Sequence, residues 1–344
     1  MLQLKNHSPF KASIAVFPNE RGVDSLYIAI KATFELGRSV TVAEQQLPVR
    51  MVDEFWGEPG QSSLKYASET HLSKPATDIV VMGTACAQDG KPVPTLDVSV
   101  QVGNKGKVIR VFGDRKWYLA EHELRISPPS PFMSMPIIYE RSYGGVHEVV
   151  QDRAKTTFDP RNPVGRGFLG GRTPVDMNGQ LLPNLEDPSR LINKPEDQPL
   201  PACFGYLAAS WEPRKSFAGT YDERWQVERS PYLPEDFQNR YFNAAHPDLV
   251  CPGYLRGGEP VTITNMSIKG PLKFNLPMCE FDVSVQIDDN KIAAAMNMET
   301  VLIEPDDQRL SLLWRGVVEC DKKVLKIRQV DVALKNSGIE QDAA

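Results

Sequence analysis

Between Pro201 and Pro260 the chain carries prolines at 213, 231, 234, 247 and 252 and glycines at 205, 219, 253, 257 and 258. No long helix can run through that spacing, because each proline lacks the amide a helical turn needs and its ring collides with the turn before it. The glycines mark places where the backbone turns sharply. A structureless loop of this length is improbable inside a compact domain, so the stretch is ordered either by function or by its own aromatic side chains. We read it as an ordered, irregular surface around which the rest of the chain is arranged.

The flanks have the opposite character. Residues 13–17 and 26–34 are apolar, β-branched runs around the turn Pro18-Asn19-Glu20-Arg21-Gly22, which predicts a hairpin with one face buried. Strands are expected again over 78–85, 95–103, 107–112 and 119–126, with Gly103-Asn104-Lys105-Gly106 as a hairpin turn. After Pro260 the runs 261–268, 280–287, 293–303, 310–318 and 323–330 suit strands, and Ala293 to Met298 is too short for an independent helix. Residues 45–74 lose all period and read as a long connection. The run Leu96-Asp97-Val98-Ser99-Val100-Gln101-Val102 parallels Phe281-Asp282-Val283-Ser284-Val285-Gln286-Ile287, which is either an internal kinship or the chance likeness of two half-buried strands. The expected fold is mainly β, with sandwich-like antiparallel sheets at both ends and a long irregular Pro/Gly/aromatic-rich central block. The expected regions are 1–136, 137–260 and 261–344, of which 137–344 can also be read as one unit.

The formal net charge is −5 and no run of five basic residues occurs, which argues against nucleic acid or a membrane surface as partner. The N-terminus has no signal-peptide pattern and no run of about eighteen apolar residues is present, so a cytoplasmic location is expected. The five cysteines are widely spaced and never form CxxC, which predicts free, mostly buried thiols. Histidines 7, 71, 122, 147 and 246 are isolated from one another, so no metal and no cofactor is expected. The carboxylate pairs Glu186-Asp187, Asp222-Glu223 and Glu235-Asp236 allow an alternative reading as a β-sandwich hydrolase of a polymer, using Asp222 or Glu223 with Glu186. Their turn-rich settings favour caps and ion pairs over catalysis. Gly165-Arg166-Gly167 lacks the strand and helix a phosphate cradle requires, and no GxSxG elbow occurs.

Several short motifs occur in a fixed order: YERSYGG (139–145), NPVGRGF (162–168), LPNLEDP (182–188), WEPR (211–214), AGTYDERW (218–225), SPYLPEDF (230–237) and PGYLRGGE (252–259). Together with LKNHSPF near the start and LIEPDDQRLSLLWRG near the end, they resemble the bacterial family numbered 2169 among domains of unknown function. The resemblance implies a cytoplasmic adaptor or chaperone of the type VI secretion system, binding a toxic effector protein and helping to load it onto the VgrG/PAAR spike. It implies no enzymatic activity and supplies no catalytic residues. The motif positions expected to contact a partner or to form the scaffold are Arg141, Tyr143, Gly144, Gly145, Asn162, Gly165, Gly167, Trp211, Arg214, Tyr221, Asp222, Trp225, Asp236 and Phe237. Tyr143, Trp211, Arg214, Tyr221 and Trp225 are the expected anchors. Arginines and large aromatics dominate interface hot spots, yet they also stack on one another to pin an irregular segment, and the sequence leaves both readings open.

Overall fold

The computed structural model describes residues 2–121 and 123–337. The protein is mainly β, and the two α-helices among the described residues have four and six residues. None is long and apolar enough to cross a membrane.

Three sheets carry the core. The first runs in the order Lys11–Pro18, Asp24–Leu36, Arg309–Glu319, Asn297–Glu304, Asp78–Val81, with Val40–Val42 pairing the end of Asp24–Leu36. The second runs Gln3–Asn6, Ile327–Ser337, Cys279–Ile287, Asn290–Ala293. The third runs Leu185–Glu186, Lys105–Phe112, Thr95–Val102, Pro260–Thr264, Leu272–Asn275. Most pairings are antiparallel, but Gln3–Asn6 lies parallel to Ile327–Ser337 and Asp78–Val81 parallel to Asn297–Glu304. Strands from both ends of the chain therefore share sheets, and the boundaries drawn at 136 and 260 separate stretches of sequence rather than sheets.

Leu26, Ile28, Ile30, Phe34, Leu310, Leu312 and Trp314 alternate onto one face of the first sheet and are all buried. Phe281 of the second sheet packs edge-on against Trp314, with centroids 5.1 Å apart, and Phe10 bridges Phe281 and Phe34. Val98, Val100, Ile109, Val111 and Val261 from the third sheet join the same apolar cluster. Fully burying each such side chain stabilises the fold by about 1.5–3 kcal/mol.

The two similar runs both open a hairpin. Val102 pairs with Lys105 across Gly103-Asn104, and Ile287 pairs with Asn290 across Asp288-Asp289. In each the glutamine before the turn folds back onto the turn carbonyl: Gln101 Nε2 donates to Gly103 O at 2.7 Å, and Gln286 Nε2 to Asp288 O at 2.8 Å.

Several boundaries differ from the expectation. The stretch 78–85 divides into Asp78–Val81 and Thr84–Cys86, and 119–126 is a tight hairpin of Trp117–Ala120 with Glu123–Ile126. The strand expected over 261–268 stops at Thr264, where Asn265 adopts a positive φ of 58°. The run 293–303 is broken after Ala293 and resumes at Asn297, while residues 321–326 form a 3₁₀ turn and the last strand starts only at Ile327. Cys203, Cys251, Cys279 and Cys320 are buried free thiols, and Cys86 is half-buried.

Candidate functional site

The predicted motif residues fall into three structural groups. The first is a knot of backbone. Tyr143-Gly144 pairs in parallel with Arg166-Gly167, and Asn162, fully buried, donates from its Nδ2 to the carbonyls of Tyr139 at 2.8 Å and Tyr143 at 2.9 Å. A Cβ on Gly144 would lie 2.1 Å from the Asn162 carbonyl oxygen, and one on Gly165 would lie 2.5 Å from Asn162 Nδ2. Only glycine lets the two loops approach this closely. Gly145 and Gly167 hold φ of 116° and 90° in the same crossing. Arg141 is tied in through Asn184, its Nη1 donating to Asn184 Oδ1 at 3.1 Å. Tyr143 packs with Trp117, Met177, Leu182 and Ile192 in a small second apolar cluster. This group is scaffold.

The second group covers the polar face of the first sheet. Trp211 is buried edge-on against Tyr139, centroids 5.5 Å apart. Arg214 is buried and donates from Nε to Tyr241 O at 3.0 Å and from Nη1 to Leu207 O at 2.5 Å. The segment so pinned delivers Asn243 Nδ2 and Ala244 N–H to the two oxygens of buried Asp78, each at 2.8 Å. Asp78 also takes Lys74 Nζ at 2.8 Å. Beside it Lys31 Nζ meets Glu69 at 2.7 Å, and Arg315 Nε meets Glu299 at 2.9 Å. Burial lowers the Lys31 pKa and raises that of the Glu299 carboxyl. His71, stacked 5.4 Å from Phe242, is held neutral well below its usual range by burial and by Arg315, Lys74 and Arg214. The irregular segment here is a lid on a layer of paired charges rather than a surface.

The third group alone faces outward. Residues 218–238 leave the body as an excursion containing the six-residue helix Glu223–Glu228. Tyr221 and Trp225 form an edge-on pair with centroids 4.7 Å apart, Tyr221 being 53 % exposed and Val227 85 % exposed. Trp225 is half-buried and Tyr232 exposed. The excursion is braced throughout. Asp222 accepts Trp225 N–H at 2.8 Å, Asp236 accepts Thr220 N–H at 2.9 Å and its hydroxyl at 2.7 Å, and Trp225 Nε1 donates to Tyr232 O at 2.8 Å. Phe237 packs edge-on against Tyr241 and tilted against Phe242, while Arg229 Nη2 donates to Glu20 O at 2.7 Å, fastening the excursion to the first hairpin turn. A shallow cleft of about 300 Å³ opens between the helix and Pro234-Glu235-Asp236, lined also by Asp222, Arg224, Glu228 and Arg229.

Of the carboxylates offered as an acid pair, Glu186 is buried against Arg115 and accepts Ile192 N–H at 2.7 Å, whereas Asp222 and Glu223 begin the exposed helix. Among the described residues no group of three or more His, Cys, Asp or Glu is placed to hold a metal, and His122 lies outside them. The buried charge layer of Lys31, Glu69, Lys74, Asp78, Glu299 and Arg315 escaped the sequence reading. Its one local signal was a lysine or arginine set inside strongly apolar strands, as in IAIKATF and LLWRGVV.

A family model described as "Uncharacterized protein conserved in bacteria (DUF2169)" matches residues 21–315. The curated proteins and the solved structures give no match. The matched span contains the glycine knot, the lid over the charge layer and the exposed excursion, so the chain belongs to the DUF2169 family.

Proposed function

We propose that the protein is a non-enzymatic adaptor that binds a type VI secretion effector and helps to load it onto the VgrG/PAAR spike. The observation that carries this reading is the excursion of residues 218–238, which presents the aromatic side chains of Tyr221 and Tyr232 outward. Its cap and the indole bond hold Trp225, and through their edge-on contact Tyr221, before any partner arrives, so little of their side-chain entropy is lost on binding. Tyrosine and tryptophan held in this way are the residue types that concentrate binding energy. The buried motif residues serve the same end indirectly, by giving the excursion a rigid base. The chain would be left behind in the producing cell when the spike is fired.

A pull-down from the producing cell, read by mass spectrometry, tests the proposal. The wild-type chain is expected to recover an effector and spike components, and Tyr221→Ala/Val227→Asp to lose the effector while keeping the wild-type melting temperature. Recovery of the effector by the folded variant at wild-type yield would remove the excursion from the role.

A further inference from the structure

The hairpin Lys11–Pro18/Asp24–Leu36 ends the first sheet, and its outer strand pairs on one side only. Which backbone groups are left over follows from the two hydrogen-bond registers. Asn19 N–H donates to Val23 O at 2.8 Å, so narrow pairs recur at Phe17–Ser25, Ala15–Tyr27 and Ser13–Ala29. On the other side of the hairpin's second strand Cys320 N–H donates to Asp24 O at 2.9 Å, which commits its even-numbered residues to Arg309–Glu319. The two registers agree. The N–H and C=O groups of Ala12, Ile14 and Val16 therefore point out of the sheet edge, and among the described residues none of them has a partner.

Such an edge is ordinarily blunted by a charge, a proline or a bulge. Here no charge or proline stands between Ala12 and Phe17, the pairing with Asp24–Leu36 runs without a bulge, and every residue from Ala12 to Phe17 is partly exposed. We infer that this edge pairs with the same strand of a second copy of the chain, antiparallel about a two-fold axis through Ile14. The register sets Ile14 against Ile14 and Ala12 against Val16 of the second copy, so outward groups meet outward groups and about six hydrogen bonds form, two for each narrow pair. Ala12, Ile14 and Val16 already pack toward the core, and their counterparts extend that apolar row. On the other face Ser13 meets Ala15 and Lys11 meets Phe17, which leaves no pair of like charges opposed. The sheets of the two copies become one continuous sheet.

The full-length chain in analytical ultracentrifugation is expected to sediment with twice the monomer mass. Ser13→Lys/Ala15→Lys places lysines opposite lysines across the axis and is expected to halve that mass while retaining the wild-type circular dichroism and melting transition. Ser13→Glu/Ala15→Glu should do the same alone. An equimolar mixture of the two variants should recover the doubled mass as a heterodimer. A monomeric wild type overturns the inference, as does a lysine variant that stays dimeric or a mixture that stays monomeric. Loss of the dimer leaves the effector pull-down through residues 218–238 as a separate readout, since Ser13 and Ala15 lie in the edge strand and Tyr221 and Val227 in the excursion.

Discussion

Trp211 and Trp225 stand in neighbouring motifs, each beside an arginine and an acid, and the chain uses them in opposite ways. Trp211 closes a buried segment over paired charges, with Arg214 spent on two backbone carbonyls. Trp225 stands on a braced excursion with its indole N–H satisfied by Tyr232 and its ring beside exposed Tyr221. The difference arises from what lies beneath. Under residues 204–217 and 239–251 is a sheet face bearing Lys31, Asp78 and Arg315, which must be covered and neutralised. Residues 218–238 rest instead on the turn at Glu20 and Gly22, through Arg229 and Tyr232, and at their end on Tyr241 and Phe242, through Phe237. An aromatic-arginine motif is thus neither an interface nor a core by itself, and the partner surface decides which.

The comparison breaks most visibly under truncation of the buried member. Trp211→Ala is expected to cost roughly 3–5 kcal/mol, and Lys74→Met, which takes the ammonium from the buried Asp78 carboxylate, a similar amount. Both are read from urea midpoints. If either variant unfolds at the wild-type midpoint, the lid is not held as described.

Between pH 6.5 and 4, mild acid should act on the buried side. Burial and Lys107 push the His246 pKa down to about 4, and His71 moves in the same direction. Unfolded histidine takes its proton near pH 6.5, so this stability is complete above that value and is lost as the pH falls toward 4. The loss attributable to His246 is about 3 kcal/mol. Urea titrations at stepped pH check it, and His246→Gln should flatten the slope over that window.

The glycine knot sharpens the distinction further. Gly144→Ala brings a methyl into the Asn162 carbonyl at a φ of 141° and is expected to cost about 1–3 kcal/mol. Smallest in stability is Trp225→Ala, for which under about 1 kcal/mol is expected because the ring is half-exposed. Its effect should appear instead as lost effector recovery, and a large drop in melting temperature would return Trp225 to the scaffold.

Much of the architecture was legible because alternation and turn chemistry are local. The first hairpin, the Gly103-Asn104 turn and the hairpins opened by the two similar runs all follow from a few residues. The charge layer was not legible. Ser25, Lys31 and Thr33 alternate with Leu26, Ile28 and Ile30, which reads as a strand with one wet face, yet both faces of Asp24–Leu36 are buried. Periodicity reports which residues share a face and cannot report that Glu69 and the segment Asn243-Ala244 arrive from elsewhere to cover it. The candidate site divided for a similar reason. SYGG and NPVGRG signal close backbone approach, but which aromatic residues end beneath another segment depends on long-range packing.

The seam between Asp24–Leu36 and Arg309–Glu319 has a consequence for synthesis. Glu35 pairs with Arg309 and Ser25 with Glu319, so the longest strand of the first sheet waits on the ribosome until Arg309–Glu319 has emerged. Topologies dominated by such distant pairings fold slowly, and their unpaired strands are exposed in the meantime. A hairpin with two open edges is present for most of translation, and the nascent chain must be kept from finding another chain before its own C-terminal third closes the sheet.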